Sequence, residues 1–166
     1  MTPAGIPDRT LFWGMAVSQL IGWGAVYVPF PLMVGPMEVE LGWSRVVLNG
    51  AYTAGLLASG LAAVPAGRWL DRHGPRAMMN SGMFAAALLL VAMSLVQQPA
   101  AYVLVWVLMG VVQAMCLWTT AMAVVVAEAR DVTRTVTAIT FVTGFTATLF
   151  IPLTGLLIDL FGWRGA

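Results

Sequence analysis

Apolar residues along this chain run in long unbroken stretches, not in short alternation with polar ones. No Asp, Glu, Lys or Arg occurs in residues 10–37, 46–67, 77–127 or 135–158, and the charges gather between these runs. A helix needs about 20 mostly apolar residues to cross the hydrocarbon core of a bilayer. Three of the runs fit one crossing each. The run 77–127 fits two, divided at Gln97-Gln98-Pro99. The pattern therefore predicts five transmembrane helices, at about 11–34, 46–66, 77–96, 101–127 and 135–158. Barrel strands would alternate apolar and polar positions over about 10 residues, which these runs do not. The first run is too long for the apolar core of a signal peptide, so it is read as a retained helix.

Composition agrees. Of the 166 residues, 60% belong to the set AVILMFWYC and only 9% are charged, against roughly 25% in a soluble domain. Too few charges are present to cover a soluble surface, which excludes a small cytosolic enzyme or a disordered chain. A net charge of +1 supplies no basic patch for nucleic acid. The single Cys116 excludes a disulfide framework and a cysteine-based zinc site, and neither metal nor cofactor is expected. The only histidine is His73, and G-x-S-x-G and paired intramembrane acids are absent, so an intramembrane enzyme is not expected either.

The charged residues number 8 arginines, with no lysine, and 7 acids. With the N-terminus in the cytoplasm, the inner loops carry Arg9, Arg68, Arg72, Arg76, Arg130 and Arg134, and the outer loops carry Arg45 and Arg164. That excess favours a cytoplasmic N-terminus. Gly42-Trp43-Ser44-Arg45 and Gly162-Trp163-Arg164 both precede a helix from the same side. Each reads as an interfacial tryptophan with a snorkelling arginine. The sequence given stops where a sixth helix would begin, and it is read as part of a longer protein.

Between the second and third helices stands Gly67-Arg68-Trp69-Leu70-Asp71-Arg72-His73-Gly74-Pro75-Arg76. The glycines allow tight geometry, and Asp71 can serve a helix N-terminus. Arg72 and Arg76 can pair with Glu128 and Asp131 in the next loop on that side. This segment resembles the G-x-x-x-D-R-x-G-R-R/K loop of the major facilitator superfamily. Gly67, Asp71, Arg72, Gly74 and Arg76 match in register, and Pro75 replaces a basic residue. Gly22-Trp23-Gly24-Ala25-Val26-Tyr27, followed by Glu40 to Arg45, is similar to the first hairpin of the monocarboxylate and oxalate/formate transporter branch. Thr143-Gly144-Phe145 and Pro152, ahead of Gly162-Trp163-Arg164, fit that branch as well.

The resemblance implies an all-α membrane bundle, the N-terminal part (1–166) of a twelve-helix secondary transporter in a bacterial inner membrane. Such a protein moves a small organic solute, a carboxylate among the candidates, by alternating access between this half and a missing C-terminal half. A non-transporting membrane subunit or sensor on the same scaffold is the alternative. Trp106, four residues before Gly110, stands where proton-linked drug exporters of the family carry arginine. Gly144 is followed by Thr148 and Leu149 in place of the exporters' second glycine and proline. Both departures argue against a drug antiporter.

Within the superfamily, helices 1, 2, 4 and 5 line the central cavity and helix 3 lies outside. The residues expected to line it are Gln19, Trp23 and Tyr27 on helix 1, and Asn49 and Tyr52 on helix 2. Gln113 and Trp118 are their counterparts on helix 4, and Thr140, Gly144 and Thr148 on helix 5. For each threonine, bonding back to its own helix or to a neighbouring one is the favoured reading. Ala51, Gly55, Ser59, Ala63 and Gly67 form a small-residue stripe along helix 2. The stripe suits a moving seam against the other half or static packing. The predicted spans contain no Asp, Glu, Lys, Arg or His, so any full charge on the solute must be met elsewhere.

Overall fold

The computed structural model describes residues 8–166, as eight helical segments and no strand among the described residues. They are α1 (Asp8–Val26), α2 (Phe30–Leu41), α3 (Arg45–His73), α4 (Pro75–Ser94), α5 (Pro99–Cys116), α6 (Trp118–Glu128), α7 (Val132–Gly144) and α8 (Thr146–Phe161). End-to-end pairs merge into five spans long and apolar enough to cross a membrane: Arg9–Leu41, Arg45–His73, Pro75–Ser94, Pro99–Glu128 and Val132–Phe161. Large apolar side chains cover the outside, among them Leu61, Phe84, Val91 and Phe141. The bundle has a signature end, holding residues 67–76 and 128–134, and a far end, holding residues 38–45, 95–99 and 162–166.

Span ends depart from the sequence reading for local reasons. The first span continues to Leu41, where Gly42 (φ +68) closes it by donating its N–H to Glu38 O. The span is interrupted at residues 27–29, where the N–H groups of both Tyr27 and Val28 reach Trp23 O and Pro29 has no N–H to continue the ladder. The second span does not stop at residue 66. It runs through the signature residues to His73, because nothing from Arg68 to Arg72 breaks a helix. Gly74 (φ +80) then turns the chain and Pro75 opens α4. The signature segment is thus the last turns of one helix, a one-residue link and the first turn of the next.

Two further breaks, at Leu117 and at Phe145, carry no proline or glycine at the break itself. The small-residue stripe turns out to be packing inside this bundle at its far half. Ala51 and Gly55 of α3 are buried, and a Cβ placed on Gly110 of α5 would overlap the Gly55 backbone. A Cβ on Gly55 would come within 2.6 Å of Trp106 O. Only glycines permit α3 and α5 to cross at this distance. Trp163, expected at the lipid interface, is only 5% exposed and bonds to Glu40.

Gly110→Ala should therefore lower thermal stability in detergent by about 2 kcal/mol, within the range for overpacking. Gly60→Ala, which would meet nothing within 4 Å, should leave it unchanged. Thermal unfolding followed by circular dichroism separates the two.

Candidate functional site

Aromatic rings from the first, second and fourth spans meet in one cluster. Trp23 stacks on Tyr27 with centroids 4.4 Å apart, and Phe30 stacks on Tyr52 at 4.1 Å. Tyr52 meets Tyr27 edge-on at 6.0 Å and Trp106 at 5.0 Å. Trp23, Tyr27 and Tyr52 are half-buried, so each keeps part of its ring open.

Polar groups sit directly behind these rings. Tyr27 Oη donates to Gln113 Oε1 at 2.8 Å, which joins the first span to the fourth. Gln19 Nε2 donates to Cys116 O at 3.0 Å, and Thr120 Oγ1 donates to Ala114 O at 2.9 Å. The break at Leu117 explains both bonds. Interrupting the helix leaves carbonyls without their usual donor, and in lipid no water can replace it. Gln19 Oε1 has no partner among the described residues.

The structure thus brings Gln19, Trp23, Tyr27, Tyr52 and Gln113 together and leaves the other expected lining residues apart. Gln19 is fully enclosed, so here it clamps two helices instead of facing a space. Asn49 is exposed and bonds back to Arg45 O. Thr140 bonds back to Val136 O, the local alternative that threonine offers. Trp118 packs with Leu11 and Met15 toward the signature end. Gly144 and Thr148 lie exposed around the break in the fifth span. Phe30 and Trp106, central to the ring cluster, escaped the sequence reading. Phe30 lies between two prolines, and Trp106 drew notice only as a departure from arginine.

A well-formed cavity of about 200 Å³ lies toward the far end, walled by Phe30, Met33, Met93, Tyr102, Trp106 and Phe150 among others. None of the expected lining residues borders it. At the signature end a wider groove of about 920 Å³ runs between α1, the start of α4 and α6. His73, Gly74, Arg76 and Glu128 all border this groove.

The expected ion pairs are not made. Among the described residues, neither Arg72 nor Arg76 pairs with Glu128 or Asp131. Asp131 is committed elsewhere: its Oδ1 accepts from Arg134 N at 3.0 Å and caps α7. Arg76 and Glu128 share the groove as exposed, solvated groups. Asp71 caps no helix either. It lies exposed in the last turn of α3, and α4 begins at Gly74 without a side-chain cap. Gly67 lies within α3, and Gly74 is the signature residue whose φ demands glycine.

The Major Facilitator Superfamily matches residues 15–166, and the chain belongs to that family. Over 75 residues it is 37% identical to the "Probable L-galactonate transporter" of Escherichia coli (strain K12). That segment covers 45% of this chain and 17% of the relative, so the chain matches well under two thirds of the relative's length. No solved structure gives a significant match.

Interhelical hydrogen bonds in membrane proteins are worth about 0.6–2 kcal/mol. Tyr27→Phe and Gln113→Leu should each destabilise the bundle by about that much, and the double variant by no more than the worse single one. Denaturant titration in mixed micelles measures the coupling.

Proposed function

We propose that this chain is the N-terminal bundle of a secondary transporter that moves a small organic solute by alternating access. The observation that carries this reading is the spaced set Gly67, Asp71, Arg72, Gly74 and Arg76 at the turn between the second and third spans, in a chain of the Major Facilitator Superfamily. In this reading the signature end faces the cytoplasm, as the arginine excess favours. The protein resides in the cell membrane with its N-terminus inside. The solute binds between this bundle and a C-terminal half of the same polypeptide.

In this half, Trp23, Tyr27 and Tyr52 contribute ring faces, and Gln113 holds Tyr27 in place from behind. The bundle offers the solute no full charge at mid-depth, so a carboxylate would meet its cationic partner in the other half. A carboxylate is the class to test first. The hairpin from Gly22 to Arg45 is similar to the monocarboxylate and oxalate/formate branch, and the relative's name specifies a sugar acid. Asp71, Arg72, Arg76 and Glu128 act as a latch in this scheme. Among the described residues they form no ion pair here, and they come together when the signature end closes, so their pairing biases a two-state equilibrium.

Proteoliposomes holding the full-length protein should accumulate labelled L-galactonate or a related carboxylate. Asp71→Asn should cut uptake about tenfold, a coupling of about 1.4 kcal/mol, without reducing the amount inserted. Absence of uptake across a panel of small carboxylates would favour the non-transporting alternative. Unchanged uptake in Asp71→Asn would remove the latch role.

A further inference from the structure

Glu40 stands in the last turn of α2, at the far end. Its Oε2 accepts from Trp163 Nε1 at 2.6 Å and its Oε1 from Arg164 Nε at 2.8 Å. The same guanidinium reaches a third span: Arg164 Nη1 donates to Ser94 O at 2.6 Å and to Val96 O at 3.0 Å. Those carbonyls close the end of α4, where no further helical N–H follows to satisfy them. The guanidinium carbon also lies 4.3 Å from the Trp163 ring centroid. One arginine, placed just after the fifth span, thereby holds the carboxylate of the first span and the carbonyl end of the third.

Trp163 and Arg164 also border the 200 Å³ cavity, whose walls are otherwise almost wholly apolar. We propose that Glu40, Trp163 and Arg164 form a clasp that locks the far ends of the first, third and fifth spans together and closes this cavity to solvent. Neighbouring charges make the pairing selective. Arg45, the other cation at this end, is engaged by Glu38 at 2.8 Å. Asp159, five residues before Arg164 on α8, makes no ion pair among the described residues. An exposed ion pair by itself contributes little. Here the planar fork divides its donors among a carboxylate and two carbonyls in fixed directions, which a lysine ammonium does not reproduce. Gly162 (φ +72) supplies the turn that brings Trp163 and Arg164 back over the bundle.

The test uses Thr154→Cys, whose position borders the cavity, in a Cys116→Ala background. A hydrophilic maleimide reports its exposure in the purified chain. With the clasp intact, labelling is slow. Glu40→Gln and Arg164→Met should each speed it about tenfold, the signature of a local opening made easier, with helical content unchanged. Arg164→Lys keeps the charge and should still label faster than the parent. If Arg164→Met loses helicity, Glu40→Gln, at an exposed carboxylate, decides alone. Unchanged labelling in Glu40→Gln, or full protection in Arg164→Lys, would overturn the clasp.

Discussion

A lipid interior holds no water to satisfy a stranded backbone group, and that constraint explains most of the polar chemistry inside this bundle. Three of the five spans are interrupted near mid-depth or beyond, at residues 27–29, at Leu117 and at Phe145. Each interruption strands backbone groups, and nearby side chains or shared carbonyls take them up. Gln19 and Thr120 serve the break at Leu117. Trp23 O receives two N–H groups at the first break. At the third, the Phe145 N–H turns to Val142 O. Gln19 and Thr120 are therefore first of all structural, whereas the buried hydroxyls of Ser18, Tyr102 and Thr146 have no partner among the described residues. Trp23, Tyr27 and Tyr52, in front of these groups, are only half-buried.

Close backbone contact supplies the second constraint. The Gly55–Gly110 crossing sets how near α3 and α5 come, and that approach brings Tyr52 and Trp106 into ring contact. Phe30 then completes the cluster from the first span. At the two ends the charges behave oppositely. The far end is laced by Glu38–Arg45 and Glu40–Arg164. At the signature end, Arg76 and Glu128 border an open groove as exposed groups, and Arg72 is exposed on α3.

The five spans were legible because charge exclusion from lipid is a strong rule that acts over whole segments. Their ends were less so. The extension of α3 to His73 depends on a helix projecting beyond the apolar run, which hydropathy does not register. The Phe145 break follows directly on Gly144, whereas the Leu117 break left no local mark, because it is held by a partner distant in sequence, Gln19 being 97 positions from Cys116. For the same reason Gln19 read as a lining residue and proved to be a clamp. Asp131 read as an ion-pair partner, yet its place before Val132 made it a helix cap. Trp163 read as interfacial because its partner, Glu40, lies 123 residues away.

Family membership, the signature turn and the half-open aromatic wall are what the proposed transport cycle rests on. That account requires the signature turn to face the cell interior. His73→Cys, in a Cys116→Ser background of the full-length protein in whole cells, tests this most directly. A membrane-impermeant maleimide should label residue 73 only after the cells are opened. Labelling in intact cells would contradict the account.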